Sequence, residues 1–185
     1  MVRKLSLLLA LASLAGLAIA SQAGAAGGLI APVSACPGQG VLRAPAAAQQ
    51  STMLCMTDFA RTQAGLPALT PTPELEQSAE EKGADILRCD SFSHFACGRE
   101  FTYWMQETGY MSSKCWRVGE NLAWGTGDYG TVRSIFRAWM SSPEHRANIL
   151  GEFAQTGLSL RVGSLDGQPG TRVWTQHFGS HCDAP

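Results

Sequence analysis

The order of the predicted elements, with helices first and strands last, places this chain in the α+β class. Three observations support that class. Apolar residues recur at helical spacing over 47–64, 73–89 and 131–141. Two strand-like runs follow at 157–162 and 171–178, and six cysteines are available to cross-link the elements. The expected product is a disulfide-stabilised domain in which helices pack against an antiparallel hairpin.

The N-terminus has the features of an export signal. Two basic residues precede an apolar run over 5–20, and small residues follow it. The run is shorter than the ~20 residues that a membrane-spanning helix needs. We therefore predict a signal peptide over residues 1–25, with cleavage after Ala20 or, preferably, Ala25, and a secreted or extracytoplasmic protein.

The charge of the mature chain excludes several classes of partner. Residues 1–25 contain two of the 14 basic residues and none of the 15 acidic residues, so the mature net charge is −3. Neither nucleic-acid binding nor attraction to an anionic membrane is expected without a basic patch.

The rest of the chain divides into an extended arm over 26–46, rich in Ala, Gly and Pro, and a single domain over 47–185.

The first two helices have clear boundary signals. Gly65 ends the helix predicted over 47–64. Thr72 and Pro73 provide the N-cap and the first residue of the second helix, which runs to about Cys89.

The second half of the chain alternates between turns and regular elements. A short third helix is expected over 99–108, and the frequent glycines over 109–130 predict turns. The helix over 131–141 has the clearest apolar stripe, and Ser142 and Pro143 begin another short helix. The two strand-like runs at the end form the predicted hairpin.

All six cysteines lie in the mature chain, and an even number in an exported protein indicates three disulfides. A zinc site built from cysteines is disfavoured because no C-x-x-C pair is present. Six cysteines allow 15 pairings, between which the sequence does not choose. The pairing that we predict is Cys36–Cys55, Cys97–Cys115 and Cys89–Cys182.

Five segments in a fixed order now make a family resemblance visible. The mature chain resembles the CAP (SCP-like) superfamily, which includes cysteine-rich secretory, antigen and pathogenesis-related proteins, and it is most similar to the bacterial exported branch. The resemblance implies an α-β-α sandwich with a central antiparallel sheet between helical layers. The matching segments are Asp58-Phe59-Ala60-Arg61 with Gly65-Leu66-Pro67-Ala68-Leu69, Phe92-Ser93-His94, Gly119-Glu120-Asn121-Leu122, Trp139 with His145-Arg146-Ala147-Asn148-Ile149-Leu150, and Trp174-Thr175-Gln176-His177-Phe178-Gly179.

The resemblance also implies a cleft, although this chain departs from the family pattern. Animal and plant members have two histidines and two glutamates there. His94 and Glu120 match the first of each, whereas Ser142 and Val173 stand at the positions of the second glutamate and second histidine. The bacterial branch has a histidine in its His-Arg motif, which is His145 in this chain.

One further histidine is predicted to reach this cleft. His177 lies four residues beyond Val173 in a predicted strand, so it points to the same face. The alternative is a histidine that faces solvent or caps the edge of the sheet. The full set predicted for the ligand cleft is His94, Glu120, Asn121, His145 and His177.

His94, Glu120 and His145 form a nitrogen and oxygen donor set that can hold a divalent metal such as zinc with an open fourth position. The equally weighted alternative is a buried hydrogen-bond network in which Glu120 orients the histidines. No catalytic residue is assigned, and Glu120 is the candidate if zinc is bound. Without a G-x-S-x-G elbow or a free thiol, nucleophilic catalysis is not expected.

The function predicted from the sequence is that of an exported ligand-binding module. Its ligand would be an extracellular lipid, glycan or peptide. The alternatives are a zinc-assisted hydrolase or peptidase, and a structural secreted domain with a vestigial cleft.

Overall fold

The structure, a computed structural model, describes residues 26–182, so the predicted signal peptide lies outside the described residues. Within that range no helix is both long enough and apolar enough to cross a membrane. The helices are α1 (Ala46–Gln63), α2 (Pro73–Arg88), α3 (Tyr103–Glu107), α4 (Val132–Ser141) and α5 (Pro143–Ile149), and the strands are β1 (Thr70–Pro71), β2 (Trp116–Gly125), β3 (Gln155–Leu165) and β4 (Gln168–His181).

The four strands form one sheet in the order β1-β3-β4-β2. Strand β4 pairs antiparallel with both β3 and β2, whereas β1 adds two residues in parallel to the start of β3. The predicted hairpin is therefore confirmed as the centre of the sheet. Its turn is at Asp166 and Gly167, which both have positive φ.

Helices cover both faces of the sheet, which confirms the predicted α-β-α sandwich. On one face, apolar residues of α1 and α4 pack against Trp174 and Phe178 of β4. On the other face, Ile86 of α2 packs against Leu122 and Val173. Alternate strand residues point to opposite faces, so each strand contributes to both cores.

The close approach of α2 to the sheet depends on a glycine. A Cβ atom on Gly157 of β3 would lie 2.0 Å from the backbone carbonyl carbon of Leu75. Only a residue without a side chain allows this helix to pack at the observed distance.

The prediction of turns over 109–130 is wrong for β2. This strand pairs with β4 along its whole length. Its glycines are present because neighbouring groups approach closely. A Cβ on Gly119 would lie 3.1 Å from the Phe153 ring, and one on Gly125 would lie 2.6 Å from the backbone of Tyr129. Glycine inside a strand can mark close packing as well as a turn.

One predicted disulfide, Cys36–Cys55, is present in the structure, with a Cα–Cα distance of 5.8 Å. The predicted pairs Cys97–Cys115 and Cys89–Cys182 are wrong. The structure instead has Cys89–Cys97 and Cys115–Cys182, with Cα–Cα distances of 5.5 Å and 5.3 Å.

The geometry of the chain explains the corrected pairing. Cys89 follows α2, and a left-handed residue at Cys97, with φ of 56°, turns the chain back towards it. Cys115 and Cys182 flank the paired residues Trp116 and His181 at the ends of β2 and β4. Because β2 was not predicted as a strand, the sequence alone did not bring these two cysteines together.

The segment before α1 consists of a short 3-10 helix (Ala26–Leu29) and a series of turns rather than an extended arm. Its buried Gln39 donates side-chain hydrogen bonds to the carbonyls of Ala31 and Pro32. Arg133 of α4 also donates to the Gln39 side chain. Hydrogen bonds as well as the Cys36 disulfide therefore attach this segment to the domain.

Candidate functional site

A buried carboxylate on β2 is the centre of the candidate site. Glu120 pairs with His177 across the β2–β4 ladder, and both side chains point to the face covered by α2. The His177 Nε2 atom lies 2.9 Å from Glu120 Oε2. The His94 Nδ1 atom lies 2.6 Å from Glu120 Oε1. Each oxygen of the carboxylate therefore has its own imidazole partner.

Lys82 is a fourth member of this cluster, and it was not predicted. Its side chain is 2% exposed, and Nζ lies 4.0 Å from Glu120 Oε1. Nζ also donates a 2.6 Å hydrogen bond to the backbone carbonyl of His94. The available signal was the position of Lys82 on the buried stripe of α2, three residues after Ala79 and four before Ile86. A lysine on such a stripe needs an acidic or polar partner.

The protonation of Glu120 follows from these neighbours. Burial alone raises the pKa of its carboxyl group. Hydrogen bonds from His177 and His94, together with the charges of His177 and Lys82, outweigh burial and hold this pKa below its ordinary value. Burial lowers the pKa of Lys82, an effect that the carboxylates of Glu120 and Glu100 oppose. The cluster is thus a buried carboxylate surrounded by cationic and hydrogen-bond-donating groups.

Ser78 extends the network on the far side of His177. Its Oγ lies 2.6 Å from His177 Nδ1 and donates a 2.9 Å hydrogen bond to the Leu75 carbonyl. Serine, histidine and an acid are the residue types of a hydrolytic triad. However, the Ser78 and His177 residues are both completely buried. The hydroxyl group cannot contact a substrate in this position. Its role is structural, because the hydrogen bonds from Ser78 through His177 to Glu120 join α2 to the sheet.

Asn121 connects β2 to α5. Its side-chain amide donates a 3.0 Å hydrogen bond to the carbonyl of His145. Asn148 in turn donates to the Asn121 side-chain oxygen and to the Glu120 carbonyl, at 2.9 Å and 3.2 Å. These bonds hold the start and the end of α5 against the strand that carries Glu120.

His145 belongs to the site by proximity, and it does not join the hydrogen-bond network of Glu120. Within residues 26–182 its imidazole ring has no hydrogen bond to the carboxylate, and Asn121 contacts only its backbone. Burial lowers the pKa of His145, and the nearby charge of His94 lowers it further, while Glu144 opposes both effects. The two histidines are thus close enough for one to affect the other.

The structure places His177 against Glu120, on the face predicted for it, and buries its ring beneath the cleft. Strand β4 lies between β3 and β2, so it is an interior strand and not an edge. His177 is completely buried, which rules out the solvent-facing alternative. His177 contacts Glu120 from the buried side of the cluster. His94, with a side chain 60% exposed, is the member of the cluster that faces solvent.

Comparison with known proteins identifies the family. The family model described as "Cysteine-rich secretory protein family" (CAP) matches residues 56–178, which is more than half of the chain. This chain is a member of the CAP family. The match begins in α1 and ends in β4, so it spans both helical layers and the sheet.

Bacterial relatives extend the comparison. The CAP chain is 29% identical over 133 residues to YkwD of Bacillus subtilis (strain 168), which covers 71% of this chain and 47% of YkwD. The chain thus spans about half the length of this curated relative.

Two solved structures share the CAP fold. One is an extracellular protein containing an SCP domain from Bacillus anthracis, with a TM-score of 0.58, 21% identity, and coverage of 72% of this chain and 40% of that protein. The other is an outer surface protein from Borrelia burgdorferi, with a TM-score of 0.59, 16% identity, and coverage of 72% of this chain and 92% of that protein. At these identities the likeness shows the fold alone.

The polar cluster of this CAP domain does not fit a zinc ion. Among the described residues, no three His, Cys, Asp or Glu side chains converge in a way that could hold a metal. Both Glu120 oxygens already accept from imidazoles, and the Lys82 ammonium group lies beside one of them. A metal would have to displace a hydrogen bond and share the space with a cation. The donor set predicted from His94, Glu120 and His145 is therefore not assembled.

Exposed aromatic residues lie close to His94 in the chain. Phe92 and Phe95 flank His94 in sequence and are 42% and 51% exposed. The Phe92 ring packs edge-on against Trp124 of β2, with 6.4 Å between the ring centroids. We refer to Phe92, His94, Phe95 and His145 as the His94 surface. It combines exposed aromatic rings with the His94 imidazole, which Glu120 holds in place, and the half-buried His145 imidazole.

Proposed function

We propose that this CAP domain is a secreted protein that binds its ligand at the His94 surface. The observation that carries the proposal is the dual environment of His94. Its Nδ1 is held 2.6 Å from a buried carboxylate while most of its side chain is exposed. A side chain that a buried partner already holds in one orientation can contact a ligand at a small entropic cost. Export is supported by three disulfides and by the extracellular proteins that share the fold.

The chemistry of the His94 surface favours an amphipathic ligand. Exposed rings of Phe92 and Phe95 offer apolar contact, and the His94 and His145 imidazoles offer hydrogen bonds to a polar group. Among lipids, glycans and peptides, lipids such as fatty acids and sterols combine these two properties most directly. Binding is favoured over hydrolysis because Glu120 is fully engaged and Ser78 is buried.

A small panel of probes tests this proposal. Palmitate, cholesterol and a chitin tetrasaccharide are titrated against the wild-type protein, with tryptophan fluorescence as the readout. We expect palmitate or cholesterol to bind and the Phe95→Ala and His94→Ala variants to bind about tenfold more weakly, which corresponds to about 1.4 kcal/mol. Tyr129→Ala is the matched control, since Tyr129 is 80% exposed and lies outside this surface. Equal affinities in all variants, or no binding by any probe, would favour a vestigial surface instead.

Zinc binding separates this proposal from the metal-assisted hydrolase. Because Lys82 already supplies positive charge beside Glu120, we expect calorimetric titration with zinc chloride to give no saturable binding at micromolar concentrations. Treatment with a chelator should leave the melting temperature unchanged. Saturable zinc binding that His94→Ala abolishes and Tyr129→Ala preserves would contradict this expectation and revive the hydrolase.

A further inference from the structure

A second candidate binding site lies away from the His94 surface. A groove of about 550 Å³ follows the outer edge of β3, on the side that does not pair with β4. Helix α1 forms one wall and helix α2 the other, and Pro71 of β1 lies at one end. The two helices cover opposite faces of the sheet, so the groove is a sheet edge between two helical walls.

The backbone in this groove is available for pairing. Strand β1 pairs with β3 only at Gln155 and Thr156, and the chain then turns at Thr72 into α2. The Thr156 carbonyl accepts from Thr72, so Thr156 faces outward. Because alternate residues of a strand present their backbone groups to the same side, Leu158, Leu160 and Val162 also face outward.

One of these outward groups already has a partner. The side chain of Gln50 on α1 donates a 3.2 Å hydrogen bond to the Leu158 carbonyl. Beyond Thr156, β3 has no strand partner on this side among the described residues. The edge therefore accepts donors, and the place of a neighbouring strand is only partly filled by β1.

The two walls differ in chemistry. Apart from Gln50, the α1 wall has small or apolar side chains, namely Ala46, Ala47, Ser51 and Leu54. The α2 wall has the carboxylates of Glu76 and Glu80. Arg161 of β3 lies 2.9 Å from Glu80, which leaves the wall with a net negative charge. In an added strand, alternate side chains would point to opposite walls.

We propose that this groove binds an extended peptide in which apolar and basic residues alternate. The peptide would lie beside β3 as an additional strand, with main-chain hydrogen bonds to the outward groups of Leu160 and Val162. Its apolar side chains would pack on the α1 wall, and its lysine or arginine side chains would approach Glu76. The edge of β3 thus selects an extended conformation, and the carboxylates of the α2 wall select a basic ligand.

The test uses two synthetic octapeptides, one alternating valine with lysine and the other alternating valine with glutamate. We expect the lysine peptide to bind the wild-type protein at least about tenfold more tightly than the glutamate peptide. We also expect it to slow amide exchange at Leu160 and Val162. Ser51→Trp, which fills the groove, should abolish binding, whereas Thr62→Trp on an exposed part of the same helix should not.

Charge controls separate the groove from general attraction to a negatively charged protein. Glu76→Lys and Glu107→Lys change the net charge equally, but only Glu76 lines the groove. Weakening by Glu76→Lys alone supports the proposal, and equal weakening by both overturns it. Absence of binding, or binding that Ser51→Trp leaves intact, also overturns it. If sedimentation finds a dimer that Ser51→Trp dissociates, the occupant is a second copy of the chain and the peptide proposal is wrong.

Discussion

Replacing Arg61 with methionine is expected to lower the free energy of unfolding by about 3–5 kcal/mol. Arg61 lies on α1, is only 1% exposed, and donates hydrogen bonds to backbone carbonyls beyond α1. The acceptors are the carbonyls of Pro67, Ile149, Gly151 and Phe153, at 2.8–2.9 Å. Methionine fills a similar volume but donates nothing, so buried carbonyls lose their partners.

The position of these carbonyls increases the expected effect. Ile149 and Gly151 are at the C-terminal end of α5, where unpaired carbonyls concentrate negative partial charge. The Arg61 guanidinium group caps that end and attaches the chain leading into β3 to α1. We therefore expect the loss to affect the packing of α5 on β2 as well as α1.

Urea unfolding of the oxidised protein measures this prediction. Arg137→Met is the matched control, since Arg137 is an exposed residue of α4 and its replacement should change the free energy of unfolding by less than about 0.5 kcal/mol. An Arg61→Met protein that unfolds at the same urea concentration as the wild type would show that the carbonyl contacts contribute little.

Replacing Glu120 with glutamine is expected to cost about 3–5 kcal/mol at neutral pH, the range typical of breaking a buried ion pair on one side. The substitution preserves shape but removes the charge that Lys82, His94 and His177 face. The Lys82 ammonium group would then be buried without a counter-ion. Glu107→Gln, on an exposed residue of α3, provides the control.

The same substitution has a defined pH dependence. The pKa of Glu120 is lower in the folded protein than the ordinary value of 4.5. Its contribution to stability is thus fully present above that value and is lost as the pH falls through the lower folded pKa. The difference in unfolding free energy between wild type and Glu120→Gln should therefore be largest near neutral pH and shrink in acid. A difference independent of pH would contradict an ionised Glu120.

A double-mutant cycle with Lys82→Met tests whether the charges are coupled. If Lys82 and Glu120 stabilise each other, the double variant should be less destabilised than the sum of the two single variants. Additive effects would mean that the two groups act independently despite their 4.0 Å separation.

Local patterns in the sequence predicted much of the fold. The apolar stripe of α4, the Thr72 and Pro73 signals that begin α2, and the final hairpin all depend on neighbouring residues. Strand β2 escaped prediction because its glycines satisfy packing constraints imposed by Phe153 and Tyr129. Phe153 lies far from Gly119 in the chain, and Tyr129 contacts Gly125 only because the chain turns back after β2, so the residues of the strand do not reveal either constraint.

The candidate site was likewise predicted only in part from the sequence. The family motifs pointed to His94, Glu120 and Asn121, and the alternation of side chains along β4 pointed to His177. His94, Glu120 and His177 lie together, and Asn121 links β2 to α5. They also suggested that His145 would share a metal with Glu120, which the geometry does not support. Lys82 and Ser78 were missed because α2 has no sequence motif that relates it to β2.

By itself, the sequence determined the family, the α+β class and the number of disulfides, since these follow from motif order, periodicity and cysteine count. Only the tertiary structure decided which cysteines pair and which groups surround Glu120. The reason is physical: the sheet brings His177 within 2.6 Å of Ser78 across 99 residues, and it aligns Cys115 with Cys182 across 67. The charge and solvation of a buried carboxylate depend on such neighbours, and these exist only after the chain has folded.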